Sequence, residues 1–388
     1  MSQKKAITDF ENALKIAQDI GNRKDEGALY GSLGNSYCAL GDARRAVEYY
    51  EKALKIAVEI GDRRSEGLWL GNLGLAYHYL GEVKKAIVCY EKAQKIAAEI
   101  GDRRNEGNWF GNLGNVYRDL GEIRKAIEYY ENALKIAQEA GDRRNEGNWF
   151  GNLGLAYHDL GEVGKAAMFY EKALQIAQEI GDKQGAGTSL GNLGNLYRDL
   201  GEIRKAIEYY ENALKIAQET GDKINEGSWL ASLGNAYYVL GDVGKAIEYF
   251  DKALRMAQEI GDRRNEGACF GNLGVAHRDL SEVRKAIVCY EKALQIARDV
   301  GDKRNESIWL NNLGIVLGDG KKYREALACY FLAVDICTQI EYPNLEATES
   351  NLKKLEEELG KKEFEKLAAE VAPRMEEIVR KMLEGTSE

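Results

Sequence analysis

Proline is almost missing from this 388-residue chain: two occur, Pro343 and Pro373, both close to the C-terminal end. Proline breaks helix interiors by removing a donor and clashing with the preceding turn. A chain that avoids it so widely is free to be helical nearly throughout. Long apolar runs are missing too. No stretch approaches the ~18 apolar residues that cross a bilayer, and the charged N-terminal segment has no apolar region of the kind a secretory signal carries. The six cysteines, Cys38, Cys89, Cys269, Cys289, Cys329 and Cys337, form no CxxC pair. Most fall in helical apolar patterns, so they read as small buried hydrophobes of a reducing compartment, which places the chain in the cytoplasm.

Catalytic signatures are absent as well. GxxxxGK[ST], HExxH, GxGxxG and the nucleophile elbow do not occur. The three histidines, His78, His158 and His277, are scattered along helical segments. No catalytic residue, metal or cofactor is expected, and the chain is read as a non-enzyme. An excess of positive charge is also lacking: the net charge is −9, of which thirteen acidic and eight basic residues beyond residue 340 supply −5. Nucleic-acid binding needs a basic stripe, so neither nucleic acid nor a membrane surface is an expected partner.

What is present is repetition. Gly111–Glu139 and Gly191–Glu219 differ only at Val116 against Leu196, and the spacing of 40 residues continues through most of the chain. A fixed period in this range marks a solenoid, whose units bury their apolar faces only against their neighbours. Within one unit, Phe110, Leu113, Tyr117 and Leu120 describe one helix face, and Ala126, Ile127, Tyr130, Ala133, Leu134 and Ala137 a second. Gly121 stands between them as a C′ glycine, and Gly141-Asp142 closes the unit with a glycine and the N-cap of the next helix. Each unit is therefore a helix A and a helix B of about 16 residues, antiparallel because the turn is short. Gly114 and Ala126, with their equivalents, are expected to let the two helices cross closely.

The series Phe110, Leu113-Gly114, Tyr117, Ala126, Tyr130, Ala133 resembles the tetratricopeptide repeat. The 40-residue unit, with its Gly-Asn-Leu-Gly-Asn and Ile-Gly-Asp-Arg segments, is most similar to the repeats of Pins/LGN-type G-protein-signalling modulators and kinesin light chains. The family's late proline is missing here. The resemblance implies an all-α, right-handed superhelical solenoid of antiparallel helix pairs. The pattern divides the chain into an N-terminal half repeat with helix B only (residues 1–22), eight helix pairs (23–340) and a C-terminal helical segment (341–388). The glycines decay towards the end: Ser281 and Lys321 replace the one between helices, and Glu341 the one between units. Beyond them, Asn344–Leu359 and Lys361–Leu383 are amphipathic, the second divided by Pro373. They read as a cap on repeat 8, with self-association or control of access as the alternative.

A polar stripe recurs on helix A. Asparagine stands at Asn72, Asn112, Asn152, Asn192, Asn272 and Asn312, and three residues later at Asn35, Asn115, Asn195 and Asn235. One turn further come Arg118, Arg198 and Arg278, with His78, His158 and Tyr238 at the same place. Asparagine is a poor helix-interior residue, but its amide donates and accepts together and can pair with the peptide groups of a guest chain. The resemblance implies the same role: helix A lines the concave surface, its asparagines clamp the backbone of an extended peptide, and basic residues meet acidic side chains. Asn72, Asn112, Asn115, Arg118, Asn152, Asn192, Asn195, Arg198, Asn235, Asn272 and Arg278 are the candidate peptide-binding residues. Two alternatives stay open. The asparagines could instead bond a carbonyl of the adjacent repeat, and Arg118 and Arg198 could pair with carboxylates such as the neighbouring Asp119 and Asp199. Pins/LGN-type repeats also carry a basic residue before the helix A aromatic. Leu68, Asn108, Asn148, Thr188 and Ser228 stand there, so a highly acidic ligand is not implied.

The five tryptophans, Trp69, Trp109, Trp149, Trp229 and Trp309, occupy one repeat position and read as packing between repeats. An 80-residue alternation, Asn115 and Arg118 against Leu155 and His158, is either a duplication relic or a set of polar and apolar stations. The functional expectation is a scaffold binding a protein or peptide segment. A regulatory component of a signalling system, ATPase-linked or peptide-responsive and acting by conformational change, is the alternative.

Overall fold

A computed structural model describes residues 3–343 and 345–384, so Met1, Ser2, Asn344 and the last four positions lie outside the described residues. The chain is all-α. A single helix, Gln3–Asp19, comes first. Helices A and B then follow as Arg23–Ala39 and Ala43–Glu59 (repeat 1), Arg63–Tyr79 and Val83–Glu99 (repeat 2), Arg103–Asp119 and Ile123–Glu139 (repeat 3), and Arg143–Asp159 and Val163–Glu179 (repeat 4). Repeat 5 is Lys183–Asp199 and Ile203–Thr220, repeat 6 Lys223–Val239 and Val243–Ile260, repeat 7 Arg263–Asp279 and Val283–Asp299, and repeat 8 Lys303–Asp319 and Tyr323–Gln339. Three further helices close the chain: Leu345–Leu359, Lys361–Val371 and Met375–Glu384, with Pro373 in a 3₁₀ turn between the last two. The fold comprises two compact units, residues 1–196 and 197–388.

The punctuation of the sequence makes this order. Gly121 adopts φ +76°, its N–H donates to the Arg118 carbonyl at 2.9 Å, and the Glu122 N–H donates to the Tyr117 carbonyl at 2.9 Å. That is a glycine-terminated helix end, which satisfies carbonyls left over by the last turn. Asp102 caps the start of that same helix, its carboxylate accepting from the Asn105 N–H at 3.2 Å. Near the C-terminal end the left-handed turns persist without glycine: Ser281, Lys321 and Glu341 hold φ of 60°, 59° and 51°. A side chain in that conformation costs about 1–2 kcal/mol. Ser281→Gly and Lys321→Gly are each expected to raise stability by about 1 kcal/mol, read from urea denaturation midpoints.

Glycines inside helix A serve aromatic rings. A Cβ on Gly114 would lie 2.5 Å from Cε1 of Tyr130, a helix B ring that is fully buried. The helices thus meet through a ring seated on a glycine, which refines the expected close crossing. Gly111, one turn earlier, receives the next repeat: a Cβ there would overlap the six-membered ring of Trp149. Trp69, Trp109 and Trp309 sit in the same way on Gly31, Gly71 and Gly271, each indole 7% exposed. The tryptophans stack on helix B tyrosines, as Trp149 does on Tyr130 at 6.5 Å between centroids. Ion pairs repeat alongside. Arg103 donates to the buried Glu106 at 2.7 Å and also reaches Glu139, tying the start of helix A to the end of helix B in its own repeat.

In the second unit the closing helices pack against helix B of repeat 8. Leu355, Val371, Ile378 and Val379 join the core that contains Tyr290, Trp309 and Tyr330. The cysteines are unpaired, and burial pushes the thiols of Cys38, Cys89, Cys269, Cys289 and Cys329 up, Cys289 to about 11 and Cys269 to about 12.

Candidate functional site

Residues three apart on a helix share a face. Helix A of repeat 3 therefore carries Asn112, Asn115 and Arg118 in one row, all half-buried. Asn72, Asn152, Asn192 and Asn195 take corresponding places in the first unit and are half-buried as well. In the second unit Arg198, Asn272 and Arg278 are half-buried and Asn235 is exposed.

The amides differ in what they already bind. Asn115 Oδ1 accepts from the hydroxyl of Tyr130 at 2.7 Å, and Asn35 Oδ1 accepts from Tyr50 at 2.7 Å. Asn72 Nδ2 donates to Asn35 Oδ1 across the repeats at 3.3 Å, and Asn272 Nδ2 to Asn235 Oδ1 at 3.4 Å. Where such seam bonds form, they run amide to amide and not to a backbone carbonyl. Asn112, Asn152 and Asn192, half-buried, make no side-chain hydrogen bond among the described residues, so their donors and acceptors are unspent there.

The 80-residue alternation now has a local chemistry. An asparagine at the Asn115 position gives the helix B tyrosine an acceptor. In repeat 6, Phe250 replaces that tyrosine, and Asn235 bonds Asn272 instead. In repeat 7, Val275 replaces the asparagine, and the buried Tyr290 hydroxyl has no hydrogen-bond partner.

The basic stations are held by carboxylates. Arg118 Nε lies 3.7 Å from Asp159 Oδ2 in the next repeat, so its partner is that residue and not the adjacent Asp119. His78 Nε2 stands 2.9 Å from Asp119, and the Tyr238 hydroxyl donates to Asp279. Arg198 and Arg278 do turn to their chain neighbours, Asp199 at 2.9 Å and Asp279 at 3.2 Å. Among the described residues no group of histidine, cysteine and carboxylate side chains is placed to hold a metal, and no helix is long and apolar enough to cross a membrane.

The tetratricopeptide repeat family model matches residues 4–59, 64–139, 145–219, 225–299 and 270–339. The chain belongs to the tetratricopeptide repeat family. No curated protein matches it. Among solved structures, this tetratricopeptide repeat protein is similar to a signal transduction ATPase with numerous domains, with a tetratricopeptide repeat sensor, from Pyrococcus horikoshii (TM-score 0.64, 19% identity, 91% of this chain and 55% of that one). It is also similar to aspartyl phosphate phosphatase F from Bacillus subtilis (TM-score 0.59, 16% identity, 87% and 94%) and to the apo quorum sensor NprR from B. thuringiensis (TM-score 0.59, 18% identity, 86% and 98%). At these identities the likeness is one of fold.

Two partners in the repeat stripe escape sequence reasoning: Tyr130 as donor to Asn115, and Asp159 as counter-ion to Arg118. The signal for both is a repeat-to-repeat correlation, tyrosine with asparagine 15 residues apart and basic or phenolic side chains with aspartate 41 residues apart.

Proposed function

We propose that this tetratricopeptide repeat protein is a non-catalytic cytoplasmic scaffold whose helix A faces take an extended peptide segment of a partner protein. The observation that carries the reading is the unspent amide row. Asn112, Asn152 and Asn192 are half-buried, successive by 40 residues, and make no side-chain hydrogen bond among the described residues. An amide donates and accepts at once, so it can hold a guest's peptide groups whatever the guest's side chains are. Within the first unit Asn72, Asn115 and Asn195 add to the row, Asn72 partly spent across a seam on Asn35 and Asn115 on Tyr130 of its own repeat; in the second unit Asn235 and Asn272 bond each other. Arg118, Arg198 and Arg278 supply selectivity. Their pairs are surface pairs worth about 0–1 kcal/mol, so a guest carboxylate can displace the aspartates.

The test is a display selection of random extended peptides on the intact protein, followed by titration of the enriched peptides against Asn112→Ala/Asn152→Ala/Asn192→Ala. At about 1 kcal/mol for each lost hydrogen bond, affinity should fall roughly 100-fold with helicity unchanged. Failure to enrich any peptide, or equal affinity in the triple variant, rejects the row as a binding surface. The sensor-bearing ATPase and the quorum sensor among the similar folds favour a second reading, a regulatory component that changes shape on binding. Small-angle scattering with and without an enriched peptide separates the two.

A further inference from the structure

Repeat 5 breaks the tryptophan pattern. Its helix A carries Ser189 where repeats 2, 3, 4, 6 and 8 carry tryptophan, and Gly185 and Ala186 where repeat 4 has Asn145 and Glu146. The receiving glycine of repeat 4 is still present, and a Cβ on Gly151 would meet nothing within 4 Å. Between repeat 4 and helix A of repeat 5, inside the first unit, the structure holds a cavity of about 490 Å³ lined by Gly151, Ser189, Trp149, Ile176, Asn152 and Asn192 among others. The matching seams at Trp149 and Trp309 leave about 10 Å³ each. Loss of the indole, with the smaller Gly185 and Ala186 beside it, separates a filled seat from one in the usual size range of ligand sites.

A second seam also lacks tryptophan and shows what simple loss looks like. Cys269 stands there in repeat 7, and the receiving position in repeat 6 is Ala231, not glycine. Ala231 packs on the cluster that contains Cys269. That seam has been refilled from both sides. The repeat 4 seam keeps its glycine, at a helix cost of about 1 kcal/mol against alanine, with no ring of its own to receive. It also keeps Tyr170, fully buried, at the position whose equivalents stack on indoles at Trp69, Trp109, Trp149, Trp229 and Trp309.

We infer that this cavity is a binding seat for a planar aromatic group of indole size supplied from outside the chain. The other seams define the occupant, because the same glycine floor and the same tyrosine hold an indole there. The ring enters over Gly151 against Trp149 and Ile176, and its polar edge meets Asn152 and Asn192, all of which line the cavity. Ser189 does not compete: its hydroxyl donates back to the Gly185 carbonyl at 2.9 Å. The seat shares Asn152 and Asn192 with the proposed peptide row but does not rest on it, since a free ring and a tryptophan side chain present the same chemistry.

The experiment titrates the full chain with indole and with N-acetyl-tryptophanamide by calorimetry, beside Ser189→Trp and Gly151→Val. One-to-one binding to the native protein, weakened at least about tenfold in both variants, is the expected result. Ser189→Trp should also raise the thermal midpoint, since it rebuilds a seam the protein already uses elsewhere. Binding of both probes identifies a partner's tryptophan as the occupant, and binding of indole alone a free ring compound; either supports the seat. Absence of saturable binding by both probes overturns it, as does equal binding to both variants. Because the triple asparagine variant is read with display-selected peptides and this seat with small probes, either idea can fail alone.

Discussion

Trp109→Ser is expected to remove about 3–5 kcal/mol from the stability of the first unit, the range for deleting a large buried aromatic. Trp109 is 7% exposed, sits on Gly71 and stacks on Tyr90 at 6.2 Å between centroids. Serine there leaves the glycine floor bare, as Ser189 leaves Gly151. Stability in stacked repeats is close to a sum of units and nearest-neighbour interfaces, so the loss falls on one interface. Hydrogen exchange should therefore show lost protection in repeats 2 and 3 before repeat 1. Urea denaturation of the native and substituted proteins measures the size. A loss below about 1 kcal/mol would mean that the indole is not what binds these repeats together, and a bare glycine floor would then not mark a seat for a ring. Because the substitution copies the natural seam, added indole should restore part of the loss in Trp109→Ser by mass action.

The hairpins were legible because their signals are local. Gly121, with Asp102 ahead of one helix and Asp142 ahead of the next, fixes turns and caps within a few residues, and the apolar spacing of Phe110 to Leu120 declares a face without reference to any other part of the chain. The tryptophans were legible as packing residues but not as knobs for particular holes. The glycine that receives Trp109 lies in the previous repeat at Gly71, and a period of 40 does not say which of several helix A glycines it is. The Asn115 position illustrates the same limit. Its amide reads as a guest contact until Tyr130 is placed beside it, after which half of its capacity is committed. Arg118 has only Asp119 beside it in sequence, and the stacking of repeat 4 on repeat 3 is what brings Asp159 to it. The empty seat was the least legible feature, since Ser189 is unremarkable until the indoles on either side of it have locations.

Gly111→Ala and Gly151→Ala, the same substitution at the same repeat position, are expected to change stability in opposite directions. Alanine is better than glycine in a helix interior by about 1 kcal/mol, so propensity alone favours both. At Gly111 the added methyl overlaps the ring of Trp149, which is wedged against Tyr130 and 7% exposed. A rigid bicyclic ring held on both faces cannot yield by a rotamer change, so the seam opens. Overpacking costs about 1–3 kcal/mol, approaching the full value of the indole if the ring is expelled. At Gly151 the methyl enters open space, and the propensity gain survives. The two variants should differ by about 2–4 kcal/mol in urea denaturation, with Gly151→Ala the more stable than native and Gly111→Ala the less. The comparison holds helix propensity constant, so its sign reports only whether a ring is present over the glycine. If Gly151→Ala destabilises as Gly111→Ala does, the seam between repeats 4 and 5 is already occupied by the protein itself and has no room for a guest ring.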